Sequence, residues 1–421
     1  MKKQTFPINL FISLMLLSFI PFIYNIVQTN LIANIPSVDG FSISGHLEWF
    51  DLINETIQAF LIVPLYCLFN KVIDNKKDFK ERISQTFIIS TAVYTLFSLV
   101  VYSLCGNIVK SMATENLAQV TQYLRLETIS FIFGNIVSFI SVLFVVLSKS
   151  KYIYLTVVLK TIFTIIGDVL LIPILGVNGV AITNIIVNLV IILLCLIVLK
   201  KEDLIVKPNF KFKKEFIKDY VNVGLFSGSQ ILLDNIIYFA IVCKMVNAVN
   251  EQGNYWVANN IIWGLLLIPI MALAEIIKKD CKENIDKNKL IQYFKVTGIT
   301  FVIWILFIPL LNTFLNKIMG ITNYTDISSI IKLLIPFYFA YGISTILDSI
   351  LIGKGKAYYL FGISIFVNLV YYPIMYLLVL NNIFTPTITF ICWLFGIGNV
   401  VHLLCSIICY FIYKKTDKVL V

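Results

Sequence analysis

Residues 152–199 read YIYLTVVLKTIFTIIGDVLLIPILGVNGVAITNIIVNLVIILLCLIVL, and this stretch decides the fold class. Its only charged side chains are Lys160 and Asp168. The connector Pro173–Asn178 divides it into two apolar runs, 152–173 and 177–199. A helix rises about 1.5 Å per residue and crosses a bilayer in roughly 20 apolar residues, so each run is one span. A connector this short makes the two helices antiparallel neighbours.

The same pattern continues in both directions. Apolar runs bounded by charge fall at 7–35, 45–69, 85–105 and 118–147 before this pair. After it they fall at 220–243, 253–277, 290–312, 328–352, 358–379 and 387–412. The 421-residue chain is 59% hydrophobic and 13% charged, with a mean hydropathy of +0.90. Soluble domains run near 45–50% apolar and about 25% charged, which excludes both a soluble fold and disorder. The expected fold is an all-α membrane protein with twelve transmembrane helices. The apolar run at the N-terminus extends past signal-peptide length without a small-residue cleavage site, so it reads as the first span.

An internal match supports two halves. Leu147-Ser-Lys-Ser-Lys-Tyr-Ile-Tyr-Leu155 resembles Ile352-Gly-Lys-Gly-Lys-Ala-Tyr-Tyr-Leu360 at an offset of 205 residues. Six spans per half make the halves parallel repeats, two six-helix lobes related by a pseudo-two-fold along the membrane normal. The expected division is a lobe at 1–199, a basic cytoplasmic linker at 200–219 and a second lobe at 220–421 with a short tail.

The net charge of +10 is carried by Lys in short clusters, not by a nucleic-acid-binding stripe. With both termini in the cytoplasm, 26 of the 33 basic residues fall in cytoplasmic segments and three (Lys110, Lys244, Lys317) outside. Four more, Arg125, Lys160, Lys295 and Lys332, lie within spans. That asymmetry follows the positive-inside rule and sets the expected orientation in the cell inner membrane. The eight cysteines are scattered without a C-x-x-C and read as small packing residues. No Walker loop, HExxH or nucleophile elbow occurs.

Ionisable groups inside a membrane are costly, about 2.5–3.5 kcal/mol or more at a helix centre, and mark function by default. Asp234 lies about 21 Å into the seventh span and Asp168 about 24 Å into the fifth, counted from the cytoplasmic side. Glu48, Asp51 and Glu55, spaced three and four apart, share one helix face. With Glu127 these make six carboxylates in the outer half. For Glu127 the plain alternative is a salt bridge to Arg125 or Lys332, and for Glu48 and Asp51 it is interfacial solvation. Asp348 and Glu275 lie near cytoplasmic ends and are expected to be solvated; His402 reads as a packing or hydrogen-bonding residue. Carboxylates in a low-dielectric cleft can exchange a proton or Na⁺ against an organic cation.

The order of these features resembles the MATE (multidrug and toxic compound extrusion) transporters across nearly the whole chain. Tyr123-Leu124-Arg125 opens a helix, Gly167-Asp168-Val169-Leu170-Leu171-Ile172 closes one, and Leu175-Gly-Val-Asn-Gly-Val-Ala-Ile-Thr183 follows. Gly224-Leu-Phe-Ser-Gly228 precedes Asp234 in the seventh span. The resemblance implies two cation-coupling sites. One would comprise Asp168, Thr164 and Thr183, with Gln28 where the family often has an acid; the other would centre on Asp234. Glu55 and Glu127 are the candidate substrate-binding acids.

The resemblance further implies a monomeric, non-enzymatic antiporter in the lipid bilayer, exporting amphipathic organic cations against H⁺ or Na⁺. No other cofactor, no metal beyond Na⁺ at the coupling sites and no nucleic-acid partner are expected. The rival reading is a flippase for lipid-linked oligosaccharide or polysaccharide precursors, which would need a basic cleft. An enzyme would need clustered catalytic groups, and the two His are far apart in sequence.

Overall fold

The computed structural model describes residues 6–33, 47–112, 116–249, 251–282, 285–319, 321 and 324–419. Among the described residues there is no strand. The helices are α1 (Ile8–Ala33), α2 (Leu47–Leu61), α3 (Val63–Asn70), α4 (Lys76–Met112), α5 (Leu117–Val146), α6 (Ser150–Leu175) and α7 (Asn178–Lys201). They continue with α8 (Lys214–Ile237), α9 (Gln252–Ile261), α10 (Ile268–Asp280), α11 (Lys287–Phe307), α12 (Tyr324–Gly353), α13 (Ala357–Phe366), α14 (Tyr372–Leu380) and α15 (Ile388–Val419).

Ten helical stretches among the described residues are long and apolar enough to cross a membrane. An eleventh arises if α9 and α10, bent by 47° at a break, count as one. The bend has a local cause, since Pro269 at the start of α10 cannot donate to the preceding turn. α1 occupies the position of the first predicted span. These helices carry large apolar side chains outward, among them Ile174 (76% exposed), Leu306 (67%) and Ile197 (67%). Apolar surface of that kind, dense on α4, α6, α7 and α11, is what a lipid solvent selects. The protein is a multi-pass membrane protein.

Some helices outrun their apolar runs. α4 starts nine residues before the predicted span, because the Lys-rich segment 76–84 is a good helix former with one buried side. The linker 200–219 is strapped to that segment. Ser84 Oγ donates to Lys207 O at 3.1 Å, Gln85 Nε2 donates to Lys211 O at 2.8 Å, and the Arg82 guanidinium lies 4.0 Å over the Phe216 ring. Asp203 accepts from both Lys76 and Lys80 at 2.8 and 2.7 Å, and these partners hold its carboxyl down at about 2. Hydrogen bonds from Lys149 and Tyr152 likewise hold Glu202 below the usual carboxylate range.

The chain forms two compact units, residues 12–224 and residues 225–419 together with 6–11. The repeated turns fall one in each unit, and the structure corrects their register. Each ends its helix on a residue in the left-handed region, Ser148 (φ 57°) and Gly355 (φ 72°). Each closes with the same backbone bond, Lys149 N to Phe144 O and Lys356 N to Leu351 O, both 2.8 Å. The equivalent residues are therefore 207 apart, not 205. The sequence match paired Lys149 with Lys354, whereas the backbone pairs Lys149 with Lys356 and the two left-handed residues with each other.

Candidate functional site

In the first unit the Asp168 carboxyl is wholly buried on α6, with Thr164 on the same helix (6% exposed) and Thr183 on α7 (1%). Glycine is what brings Thr183 there. A Cβ on Gly167 would sit 2.6 Å from Thr183 Cγ2, and one on Gly179 would sit 2.7 Å from the Leu171 carbonyl. The turn itself needs Gly176, whose φ of +59° lies in the left-handed region. Thr183 is close enough to interact with Asp168. The Thr164 hydroxyl donates to Lys160 O at 2.7 Å, within its own helix. The structure thus brings together Asp168, Thr164 and Thr183. The backbone of Gln28 belongs to α1, but its side chain lies outside the described residues, as does that of Glu48; His46 lies outside them entirely.

Glu127, on α5, is also buried. In place of the alternative salt bridge to Arg125 it has neutral donors: Asn184 Nδ2 donates to Glu127 Oε1 at 3.2 Å, and the Tyr123 hydroxyl also bonds the carboxyl. Arg125 instead stacks over the Tyr102 ring, 5.4 Å from its centroid. Arg125 and Glu127 are two residues apart on a helix and point to different sides, which is why they do not pair. Asp51, exposed on α2, is within charge-interaction range of Glu127. Glu55 is exposed on the same helix.

The second unit holds a different arrangement. Asp234 is half-buried near the end of α8. Its Oδ1 accepts from Ser364 Oγ at 2.6 Å and from Asn368 Nδ2 at 2.5 Å; its Oδ2 accepts from Gln230 Nε2 at 3.3 Å. Asn368 also donates to Ser364 Oγ at 3.0 Å. Short bonds of this kind are typical of a charge-assisted acceptor. Two π-helical turns flank the group, Tyr238–Cys243 after α8 and Val367–Tyr371 after α13, the latter containing Asn368. Such turns rotate the following side chains and recur at functional sites. Here the Asn368 side chain reaches across to Asp234.

A second polar group lies between α12 and α15. His402 Nε2 is 2.9 Å from Asp348 Oδ2, and Ser406 Oγ donates to Asp348 Oδ1 at 2.7 Å. Asp348 is therefore not solvated as its position near a helix end suggested; its side chain is 14% exposed because α15 packs across it. Glu275 is engaged too, accepting from Lys278 at 2.5 Å. Sequence reasoning missed Gln230, Ser364, Asn368, Ser406 and the His402–Asp348 pair. For Gln230 a signal existed, since it stands one turn before Asp234. Ser364 lies 130 residues from Asp234 and gave none.

No group of three or more metal-ligating side chains occurs among the described residues. The cysteines whose side chains are described, at 67, 105, 195, 281, 392, 405 and 409, are free and buried or half-buried, as packing residues would be.

No family model matches the sequence. No curated protein matches it either. Solved structures do match, over nearly the full length. A mutant of the Vibrio cholerae MATE transporter VcmN is similar at a TM-score of 0.82 and 15% identity, covering 97% of this chain and 96% of that one. A multidrug resistance MATE family transporter of the MOP superfamily, in an outward-facing conformation, gives 0.85 at 16% identity, covering 97% and 95%. A MOP superfamily transporter from Pyrococcus furiosus, described as having a binding pocket of reverse polarity, gives 0.81 at 16% identity, covering 98% and 96%. The chain has the fold of these transporters.

Proposed function

We propose that this protein is a secondary active transporter of the MATE type, an antiporter that exports amphipathic organic cations against H⁺ or Na⁺. The observation that carries this reading is the Asp234 carboxylate, accepting from Gln230, Ser364 and Asn368 inside a membrane-spanning unit. Three donors stabilise its ionised form, and half-burial leaves it a route to exchange a cation. Asp168 with Thr164 and Thr183 is the second coupling site, weaker because Gln28 stands where an acid would complete it. Asp51 and Glu55, exposed on α2, together with Glu127 supply the negative charge that attracts the substrate cation. The Lys distribution supports an inner-membrane protein with both termini and the 200–219 linker in the cytoplasm. A monomer suffices for this scheme, and no enzymatic step enters it.

Purified full-length protein in proteoliposomes tests the reading with ethidium as the probe cation. An imposed proton or Na⁺ gradient is expected to drive ethidium movement that collapses when the gradient is dissipated. A wild-type protein that moves no ethidium under either gradient contradicts the proposal. Cysteine labelling in a Cys-free background tests the orientation: a probe at Asn381 should react from outside intact cells and one at Lys207 should not.

A further inference from the structure

The pair Asp348–His402 is unused by this scheme, and its placement gives it a role. Asp348 lies five residues from the end of α12 at Gly353, so it is about 7 Å from the cytoplasmic edge in the proposed orientation. Counted instead from the cytoplasmic ends of the apolar runs, at 412 and 220, His402 is about 15 Å deep and Asp234 about 21 Å; from the run end at 352 Asp348 is about 6 Å deep. The three groups thus stand at increasing depth within one unit. The first two are hydrogen-bonded at 2.9 Å, and the second is within charge-interaction range of the third.

A tyrosine lies in the same neighbourhood. Tyr372 is buried at the start of α14 and within charge-interaction range of Asp234. Its hydroxyl packs against Gly398, one turn before His402 on the same face of α15. A Cβ on Gly398 would meet that oxygen at 2.7 Å, so any other residue would exclude the hydroxyl from this position. The charges acting on His402 are Asp348 from α12 and Asp234 from α8. On its own helix the titratable neighbours are Cys405 and Cys409, the latter in range of Asp348. On the α14 side the titratable groups against Gly398 are Tyr372 and Tyr371, the latter donating its hydroxyl to Leu394 O.

We propose that Asp348 and His402 form a proton relay joining the cytoplasmic end of the second unit to Asp234, with the Tyr372 hydroxyl beside the path. The proposal rests on Asp234 as the coupling site and names the proton as its ion. The steps balance simply. A proton arriving from the cytoplasm makes His402 an imidazolium, with Asp348 holding Nε2–H and stabilising the positive charge. The imidazolium releases a proton to the Asp234 carboxylate, returning to neutral imidazole and leaving a carboxylic acid that no longer holds a cation. Release to the cytoplasm runs the same steps backwards. Asp348 is the positioning residue, fixing the ring as Ser406 fixes Asp348.

The chain has only two histidines, so His46→Gln leaves His402 as the only imidazole. Imidazole NMR of that full-length variant in nanodiscs is expected to show His402 taking up and releasing a proton. Adding Asp234→Asn is expected to move the midpoint by about half a pH unit or more, because a facing charge is gone. An imidazole that does not titrate, or titrates identically in both backgrounds, overturns the relay. In proteoliposomes, His402→Gln keeps a donor for Asp348 but cannot carry a proton. It should cut ethidium transport driven by a pH gradient about tenfold or more and flatten its pH profile, while ethidium binding persists.

Asp348→Asn, which retains hydrogen-bonding groups toward His402 and Ser406, should lose transport similarly and guards against a folding defect in the first variant. Wild-type rates and pH profile in either variant overturn the proposal, as does a wild type driven by Na⁺ but not by protons. If the wild type moves no ethidium at all, the transport reading fails by itself and the imidazole titration still decides the relay.

Discussion

Asp168 in the first unit and Asp234 in the second sit within spans, and their surroundings differ. Asp168 is sealed between α6 and α7, which Gly167 and Gly179 let approach to backbone contact. Its neighbour Thr164 spends its proton on its own helix. Asp234 is half-buried and bonded to three donors from two helices, both interrupted by π turns. The first arrangement is a packing solution with an acid inside it. The second is a polar cluster that tolerates a change of charge, because Ser364, Asn368 and Gln230 can reorient toward a neutral or an ionised carboxyl. The lesson is that depth alone does not rank buried acids; the donors around them do.

The partners give the largest effect that can break this comparison. Asn368→Leu removes the shortest donor to Asp234 and should lower gradient-driven ethidium transport about tenfold, the equivalent of roughly 1.4 kcal/mol. Thr183→Val, the parallel change in the first unit, should lower it no more than about threefold. Equal losses would mean that the two sites share the coupling.

Packing gives the next. Gly167→Ala forces a Cβ to 2.6 Å from Thr183 Cγ2, and overpacking of this kind costs about 1–3 kcal/mol. Thermal unfolding should show it as a lowered midpoint. Gly362→Ala, at a helical glycine with nothing within 4 Å, should be neutral or stabilising by up to about 1 kcal/mol. A Gly167→Ala protein as stable as Gly362→Ala would remove the argument that the first site is built by close packing.

The smallest effect lies outside the membrane, where Asp203 straps the linker to α4. Its carboxyl is held at about 2, below the unfolded 3.8, so its contribution to stability is present above pH 3.8 and lost as pH falls through about 2. Asp203→Asn should lower the unfolding midpoint slightly at neutral pH and leave the variant and wild type alike near pH 2. A difference that persists at pH 2 would assign the effect to something other than the ion pairs.

Much of the fold was legible because lipid imposes a simple rule. The runs 118–147 and 177–199 end within two residues of α5 and α7, since charge marks where each span leaves the bilayer. Hydropathy could not show the start of α4, which is polar, or the break between α9 and α10. The 205-residue match found the repeated turn but set its register wrongly, because side-chain identity is a poorer guide to a helix end than the position of the left-handed residue. The grouping of Asp168, Thr164 and Thr183 was legible through the family resemblance, and the position of Asp234 within a span through depth. Asn368 and Ser364 were not, for their contact with Asp234 spans more than a hundred residues. Asp348 and His402 are 54 residues apart and each looked ordinary alone.

The central claim is that Asp234, and not Asp168, carries most of the coupling. Asp234→Asn and Asp168→Asn, compared side by side in proteoliposomes at matched protein levels, test it most directly. Each substitution keeps size and hydrogen bonding while removing titratable charge. The account predicts that ethidium movement under an imposed gradient is abolished in Asp234→Asn and reduced only partly in Asp168→Asn. Undiminished transport in Asp234→Asn, or a greater loss in Asp168→Asn, would contradict it.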